Sequence, residues 1–361
     1  MNGFHGRLAL LQRVLPSYRA PFFDLLASAC QGGMSLFAGL PRPAEGITTA
    51  SKLQVASYQP GKNIHLFSGN LYLCYQLGLI DWLKTWDPDA LIVEANPRYL
   101  STRSAVKWIH GRGRPVIGWG LGASSVSGVR EKHRAAFIRQ FDGLIAYSQR
   151  GAEEYAALGF PPERIFVANN SVTTPPDSIP AHRPWTRDHL TILFVGRLQA
   201  RKRIDMLLRA CAQLDSKPRL VIVGDGPERL SLKALAQEIY PGAEFIGARH
   251  GTELKPYFTE ADLFVLPGTG GLAVQEAMSY GLPVIVAQGD GTQDDLVRRT
   301  NGWQIPPDDF DALLSTMKDA LSDVARLRKM GDESYRIVKE EINIEKMVEM
   351  FVRALNTLTA K

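Results

Sequence analysis

The chain is short of cysteine and of long apolar runs, and each shortage excludes a class of protein. Cys30, Cys74 and Cys211 are odd in number and far apart. That excludes a disulfide framework and zinc-ligand spacing, and it predicts buried thiols in a reducing compartment. No apolar run approaches the roughly 20 residues that cross a bilayer. The first apolar segment, Leu8 to Leu11, runs into Gln12 and Arg13 and reads as a first strand, not a signal sequence. A cytoplasmic location is expected, at most peripheral at the inner face of the membrane. The sequence carries no nucleic-acid motif and no interleaved aromatic platform, so no nucleic-acid partner is expected.

Acidic residues are scarce in one half only. Residues 1–175 carry 18 Lys or Arg against 11 Asp or Glu, and the remainder carries 24 against 26. The positive surface therefore belongs to the first half, where it suits an anionic membrane or a phosphorylated partner, or simply solubility. At 361 residues the chain is long enough for two domains. Apolar runs at Leu8–Leu15, Ala90–Glu94, Pro115–Gly118, Gly143–Ser148 and Arg164–Ala168 read as strands in the first half. Those at Thr191–Val195, Arg219–Val223, Ala243–Ile246, Asp262–Leu266 and Pro283–Ala287 do so in the second. Helical patterns alternate with them, as at Ala152–Leu158, Ile204–Gln213 and Glu228–Ile239. This alternation predicts an α/β protein with parallel sheets, whose ligands bind at the carboxyl ends of strands. The proline-rich stretch Thr173–Arg187 breaks the pattern. The expected domains are 1–175 and 190–340, joined by a linker over 176–189. A last helix within 341–361, with Met347, Met350, Phe351, Ala354, Leu355 and Leu358 at helical spacing, is expected to pack back across them.

One stretch carries most of the chemistry. After the apolar run Leu263–Leu266 comes Pro-Gly-Thr-Gly-Gly, then a two-turn helix closed by Gly281. Gly268, Gly270 and Gly271 allow close backbone approach to a ligand, and the helix start offers unpaired N–H groups. Glu276, just inside, has two acceptor oxygens that suit neighbouring ribose hydroxyls. Earlier in the same half, Val195-Gly196-Arg197 runs into Arg201-Lys202-Arg203. Arg197 and Lys202 are suited to a diphosphate and to the charge that builds on a leaving phosphate.

Val195-Gly-Arg-Leu-Gln-Ala-Arg-Lys202, Val223-Gly-Asp-Gly-Pro227, Phe245-Ile-Gly247, Ala261-Asp-Leu-Phe-Val-Leu-Pro267 and Glu276-Ala-Met-Ser-Tyr-Gly-Leu-Pro-Val284 follow one another in the order and spacing of a known family. The sequence resembles the GT-B glycosyltransferases of family four over residues 190–320, and more loosely before them. The resemblance implies two Rossmann-like domains facing across a cleft, and a retaining transfer from a nucleotide-diphosphate sugar to an acceptor hydroxyl. It implies no metal and no other cofactor. By position, Arg197 and Lys202 would hold the diphosphate and Glu276 the ribose. The backbone of Gly271 and Leu272 would meet the phosphates, and Ala248 and Arg249 would line the base pocket. The acceptor would be a glycan, a lipid-linked or a small molecule, as in polysaccharide, lipid-linked glycan or glycolipid synthesis.

Two departures stand out. The family's second glutamate, eight residues before the position of Glu276, is Gly268 here, and Leu121 stands where many members have a histidine. A silent sugar-nucleotide-binding subunit and a GT-B nucleotide-sugar epimerase are the alternative readings. On the acceptor side, Tyr18 and Arg19 follow the first strand, and Glu94, Arg98 and Trp119 follow or end later ones. Glu94 reads equally as a paired structural carboxylate. Asp87-Pro-Asp89 matches a metal-binding DXD but reads as a turn, and His250 reads as a loop residue or a ligand neighbour. Arg103, Lys107, Trp108, Ile109, Arg112 and Arg114, with Arg130, Lys132, Arg134 and Arg139, form basic amphipathic segments suited to an anionic surface.

Overall fold

The structure, a computed structural model, describes residues 3–123, 128–179 and 190–360. It divides into two compact units, Met1–Val172 with Ile344–Lys361, and Thr173–Asn343. Residues 180–189 of the expected linker lie outside the described residues.

In the first unit the strands are β1 (Leu8–Val14), β2 (Met34–Gly39), β3 (Ser57–Pro60), β4 (Lys62–Leu66), β5 (Leu73–Leu77), β6 (Ala90–Glu94), β7 (Val116–Gly120), β8 (Gly143–Ala146) and β9 (Ile165–Val167). All but β4 and β5 form one sheet in the order β3-β2-β1-β6-β7-β8-β9, every pairing parallel. Strands covered on both faces must be apolar at nearly every position. Leu8 to Leu11 and Ala90 to Val93 are accordingly buried throughout. The helices between them are α1 (Ala20–Ser28), α2 (Leu79–Trp86), α3 (Ser101–His110), α4 (Val129–Ile138) and α5 (Gln149–Ala157). β4 and β5 stand apart as an antiparallel hairpin.

The second unit contains β10 (Thr191–Val195), β11 (Arg219–Val223), β12 (Glu244–Gly247), β13 (Leu263–Leu266), β14 (Val284–Ala287) and β15 (Gly302–Ile305). They form a parallel sheet in the order β12-β11-β10-β13-β14-β15. Its helices are α6 (Ile204–Ala212), α7 (Arg229–Ile239), α8 (Lys255–Glu260), α9 (Ala273–Ser279), α10 (Thr292–Leu296), α11 (Phe310–Ser322) and α12 (Val324–Glu340). The chain then returns to the first unit as α13 (Ile344–Thr359), where Met347, Val348, Phe351 and Leu355 join the core with Phe22 and Trp119.

Each large sheet is wound outward from its first strand, in one direction and then the other. The order reverses between β1 and β6 in the first unit and between β10 and β13 in the second. A crevice opens at the carboxyl ends of strands where the winding reverses, because the connecting loops leave in opposite directions. The α/β class and the parallel sheets agree with the sequence. The hairpin and strands β2, β3 and β15 were not foreseen. β3 is mostly exposed, and the hairpin contributes only one face to the core, so neither leaves a clear buried period.

Helix α9 is braced from behind by α12. A Cβ on Gly331 of α12 would collide with the Gly281 carbonyl oxygen, at the turn (φ +71°) that ends α9. Gly331→Ala gains about 1 kcal/mol of helix propensity, but overpacking against backbone costs about 1–3 kcal/mol. We expect a net loss of stability and a lower Tm, measured by calorimetry.

Candidate active site

The loops after β10 and β13 lie side by side because their strands are neighbours. After β10 the chain turns through Gly196–Gln199 into a short 3-10 turn, Ala200–Lys202, and then α6. After β13 it runs through Pro267–Leu272 into α9. The two loops touch backbone to backbone. A Cβ on Gly268 would collide with the Arg201 carbonyl oxygen and stand 2.5 Å from Lys202 Cα. The Thr269 N–H donates to the Arg201 carbonyl at 3.1 Å. Gly268, in the glutamate's place, thus lies where the loops meet, and a longer side chain there would require them to part.

Lys202 fastens this arrangement. Its buried Nζ donates to the carbonyls of Thr269 (2.7 Å) and Gly270, while Arg201 Nη1 reaches Thr269 O at 3.2 Å. Gly270 adopts φ +65°, a turn open to glycine. Burial, reinforced by the neighbouring Arg201 and opposed by Asp290, pushes the Lys202 ammonium down to about 8. An ammonium has three donors, and two are spent on carbonyls. The group remains a desolvated cation with a donor to give to an anion.

The other side of the crevice is equally close-packed. Cβ atoms on Gly224 and Gly226 would collide with the carbonyls of Gly196 and Leu198. Leu198 N donates to Asp225 O at 2.9 Å, and Gly224 N to Gly247 O at 2.8 Å. Arg197 is exposed at the tip. Glu276, in the first turn of α9, is half-buried, and its carboxylate makes no hydrogen bond among the described residues. Burial raises its pKa. Leu272 immediately precedes the helix. Ala248 and Arg249 are exposed just beyond β12, with Arg249 Nη1 donating to Ala248 O at 2.8 Å. His250 caps the turn Gly251–Leu254 together with Glu253. Arg229 was not anticipated. It pairs with Asp225 at 3.0 Å, and its guanidinium lies 3.6 Å from where a Gly247 Cβ would stand. Its sequence signal is its place two residues after the Val223–Pro227 turn. The predicted set Arg197, Lys202, Gly268, Gly270, Gly271, Leu272, Glu276, Ala248 and Arg249 thus occupies the carboxyl ends of adjacent strands in one unit.

The first unit corrects several expectations. Trp119 is not an acceptor residue on a loop. It is 1% exposed and packed among Phe22, Phe23, Tyr147 and Phe351, because β7 is an interior strand covered on both faces. Arg19 is buried as well. It donates to Ser171 O at 3.1 Å and to Asn170 Oδ1, under the rings of Tyr18, Trp119 and Tyr147. Its role is to tie the loop after β1 to the segment beyond β9. Glu94 ends β6 half-buried and accepts from the Arg13 backbone N–H, and its carboxyl is pushed up to about 7 by burial. The Arg13 guanidinium is committed to Glu45 at 2.8 Å. Tyr18, Arg98 and Leu121 are exposed. Asp87 pairs with Arg7 and Arg114, and Asp89 accepts from the Arg7 backbone, so this pair of aspartates builds a turn. In α3 the apolar residue Ile109 is buried, and just beyond the helix Arg112 stacks 3.5 Å from the centre of the Trp108 ring. That helix turns its apolar face inward, into the core of the first unit. Among the described residues, no three His, Cys, Asp or Glu side chains converge as metal ligands.

Two Rossmann-like units of this kind are the GT-B fold. The chain shares it over 98% of its length with Anabaena HepE, solved with UDP and glucose (TM-score 0.71, 16% identity, all of that chain). It shares it over 97% with the lipopolysaccharide outer core galactosyltransferase WaaB (TM-score 0.72, 18% identity, 99% of that chain). Residues 177–337 match the family model for glycosyl transferases group 1, a match that spans nearly all of the second unit. Over 133 residues it is 39% identical to the GDP-mannose-dependent alpha-mannosyltransferase of Mycobacterium tuberculosis, covering 36% of this chain and 34% of that protein. A protein of the same name from Corynebacterium glutamicum is 36% identical over 151 residues, 41% and 35% of the two chains. The matched segments thus span about a third of the length of these curated relatives. No helix among the described residues is long and apolar enough to cross a membrane.

Because the Glu276 carboxylate has no hydrogen-bond partner among the described residues, Glu276→Ala is expected to leave Tm unchanged or slightly raised. The same change should weaken nucleoside diphosphate binding by about 1.5–3 kcal/mol, the worth of a charge-assisted contact. Calorimetric titration of both forms with one nucleotide measures this.

Proposed function

We propose that this protein is a retaining glycosyltransferase. It moves a sugar from a nucleotide-diphosphate donor, held by the second unit, to an acceptor hydroxyl bound by the first. The observation that carries this reading is the presence, at one switch-point crevice, of a desolvated cation, Lys202, and a half-buried carboxylate, Glu276, that has no partner among the described residues. Both groups are less stable ionised here than in water. A ligand carrying a diphosphate and a vicinal diol satisfies both. Arg197 and Lys202 then stabilise the charge that grows on the leaving diphosphate as the bond to the anomeric carbon breaks, without a metal. The backbone of Gly270 to Leu272 meets the phosphates, and Ala248, Arg249 and Arg229 border the base.

Among donors, GDP-mannose comes first, since the relatives of the second unit are named for it. Those relatives are named alpha-mannosyltransferases, which supports an alpha-linked product. Tyr18, Arg98 and Glu94 remain the acceptor-side candidates, and the basic first half supports an anionic, lipid-linked acceptor in glycan or glycolipid synthesis. A thermal-shift series with GDP, UDP and ADP, then their sugars, tests the donor. A ligand at a hundred times its Kd stabilises by about 2.7 kcal/mol. GDP is expected to give the largest shift, the product should be the alpha anomer by NMR, and activity should survive EDTA. No shift with any nucleotide, an inverted product, or activity restored only by manganese or magnesium overturns the corresponding part.

The Lys202 ammonium adds a pH signature. In the free site it loses its proton near 8, and a bound diphosphate raises that value. Binding must therefore take up protons near and above pH 8, and affinity must fall as pH rises through that value. Calorimetry in two buffers of different ionisation enthalpy reads the uptake, which Lys202→Met should abolish.

A further inference from the structure

The β4–β5 hairpin turns its apolar side outward. Its register pairs Lys62 with Leu77, Ile64 with Tyr75 and Leu66 with Leu73 on one face, and Asn63 with Gln76 and His65 with Cys74 on the other. Burial of Gln76 and Cys74 shows that the second, polar face meets the fold. There Asn63 and Gln76 donate to the carbonyls of Arg13 and Gln12 at 2.7 and 3.0 Å. The apolar face is left outside, with Leu66, Tyr75 and Leu77 exposed. The turn continues it, for Phe67 is 69% and Leu71 74% exposed. Among the described residues, Leu230 is the sole exposed large apolar side chain of the second unit, so such surface concentrates in the first. A contiguous exposed apolar patch marks an interaction site.

Beside the turn lies a cavity of ≈ 560 Å³. Asn70 and Leu71 of the hairpin line it together with Arg98 and with Arg130, His133 and Arg134 of α4. Arg103 of α3 extends this wall, 3.3 Å from His133. No acidic side chain is among the described lining residues.

We propose that the hairpin and this basic wall form a docking surface for an anionic lipid bilayer. Phe67, Leu66 and Leu71 enter the boundary between headgroups and acyl chains, and the arginines of the wall take up lipid phosphates. An apolar tip flanked by cations is the pattern such a surface recognises. Charge selects the bilayer over a second copy of the chain. A two-fold interface would set one arginine wall near another, and like charges facing across an interface are unfavourable. The inference does not rest on the donor reading, since it concerns only the first unit.

The test uses the full chain and co-sedimentation with vesicles of phosphatidylcholine, with and without phosphatidylglycerol, at two salt concentrations. Wild-type protein is expected to bind the anionic vesicles, less at high salt, and to bind phosphatidylcholine alone weakly. The double variant Phe67→Ser, Leu71→Ser alters only exposed side chains and should keep the wild-type Tm. It should lose at least about tenfold in partitioning. Arg130→Glu should lose roughly tenfold on anionic vesicles only, at about 1 kcal/mol per charge near the leaflet. A tryptophan placed by Phe67→Trp should be quenched by brominated lipid. The proposal fails if wild-type protein ignores anionic vesicles, or if both variants bind as wild type does. It fails equally if size exclusion shows a dimer that the double variant abolishes, which would give the face to a second copy.

Discussion

The second unit depends on a backbone contact. The carboxyl ends of β10, β11 and β13 lie so close that their loops pack carbonyl against Cα, with no room for a side chain at Gly224, Gly226 or Gly268. A site built this way recognises a ligand through main-chain donors and a few long side chains arriving from the edges. At Gly268 it also leaves no space for a carboxylate side chain in this arrangement. The position is occupied by the neighbouring loop, and the difference from the family pattern is one of packing before it is one of chemistry.

Around that contact the polar groups are arranged against their own stability. Among the described residues, Lys202 is buried with only carbonyls to receive its donors, and the half-buried Glu276 carboxylate has no partner. Burial opposes ionisation in both, lowering one pKa and raising the other. Folded proteins normally pair such groups, and departures from that rule gather where a ligand completes the structure. Lys202 has a second part to play. By holding Thr269 and Gly270 it fixes the shape of the glycine loop, so one side chain is a strut of that loop and, in the proposed function, also a contact for the donor diphosphate.

The first unit spends its polar residues differently. Arg19 with Ser171 and Asn170, Arg13 with Glu45, and Asp87 with Arg7 and Arg114 are internal ties that hold loops to the sheet. Glu94 is the exception, a carboxyl at the switch point pushed up to about 7. The apolar material left over is gathered on a hairpin whose polar face had to turn inward to satisfy backbone carbonyls. That constraint leaves Phe67 and Leu71 in solvent beside the arginines of α4.

Apolar runs such as Thr191–Val195 and Ala90–Glu94 identified strands in place, because an interior parallel strand must be apolar on both faces. The glycine spacing, Glu276 and the Arg197–Lys202 turn identified the candidate site for a related reason: close backbone approach leaves glycine as the residue that fits. Side-chain direction lay beyond reach. Trp119 and Arg19 stand beside strand ends just as site residues do, yet they point into the core, and no linear pattern tells the two sides of a loop apart. The bond from Lys202 to Thr269 and Gly270, the obstruction at Gly268 and the outward apolar face of the hairpin each require residues far apart in sequence to be brought together. Composition and periodicity are local, so they reached most of the apolar interior strands and the residue types at their ends, and missed β2, β3, β15 and the hairpin. Which groups meet, and which remain without a partner, was decided only when the strands were ordered in the sheet.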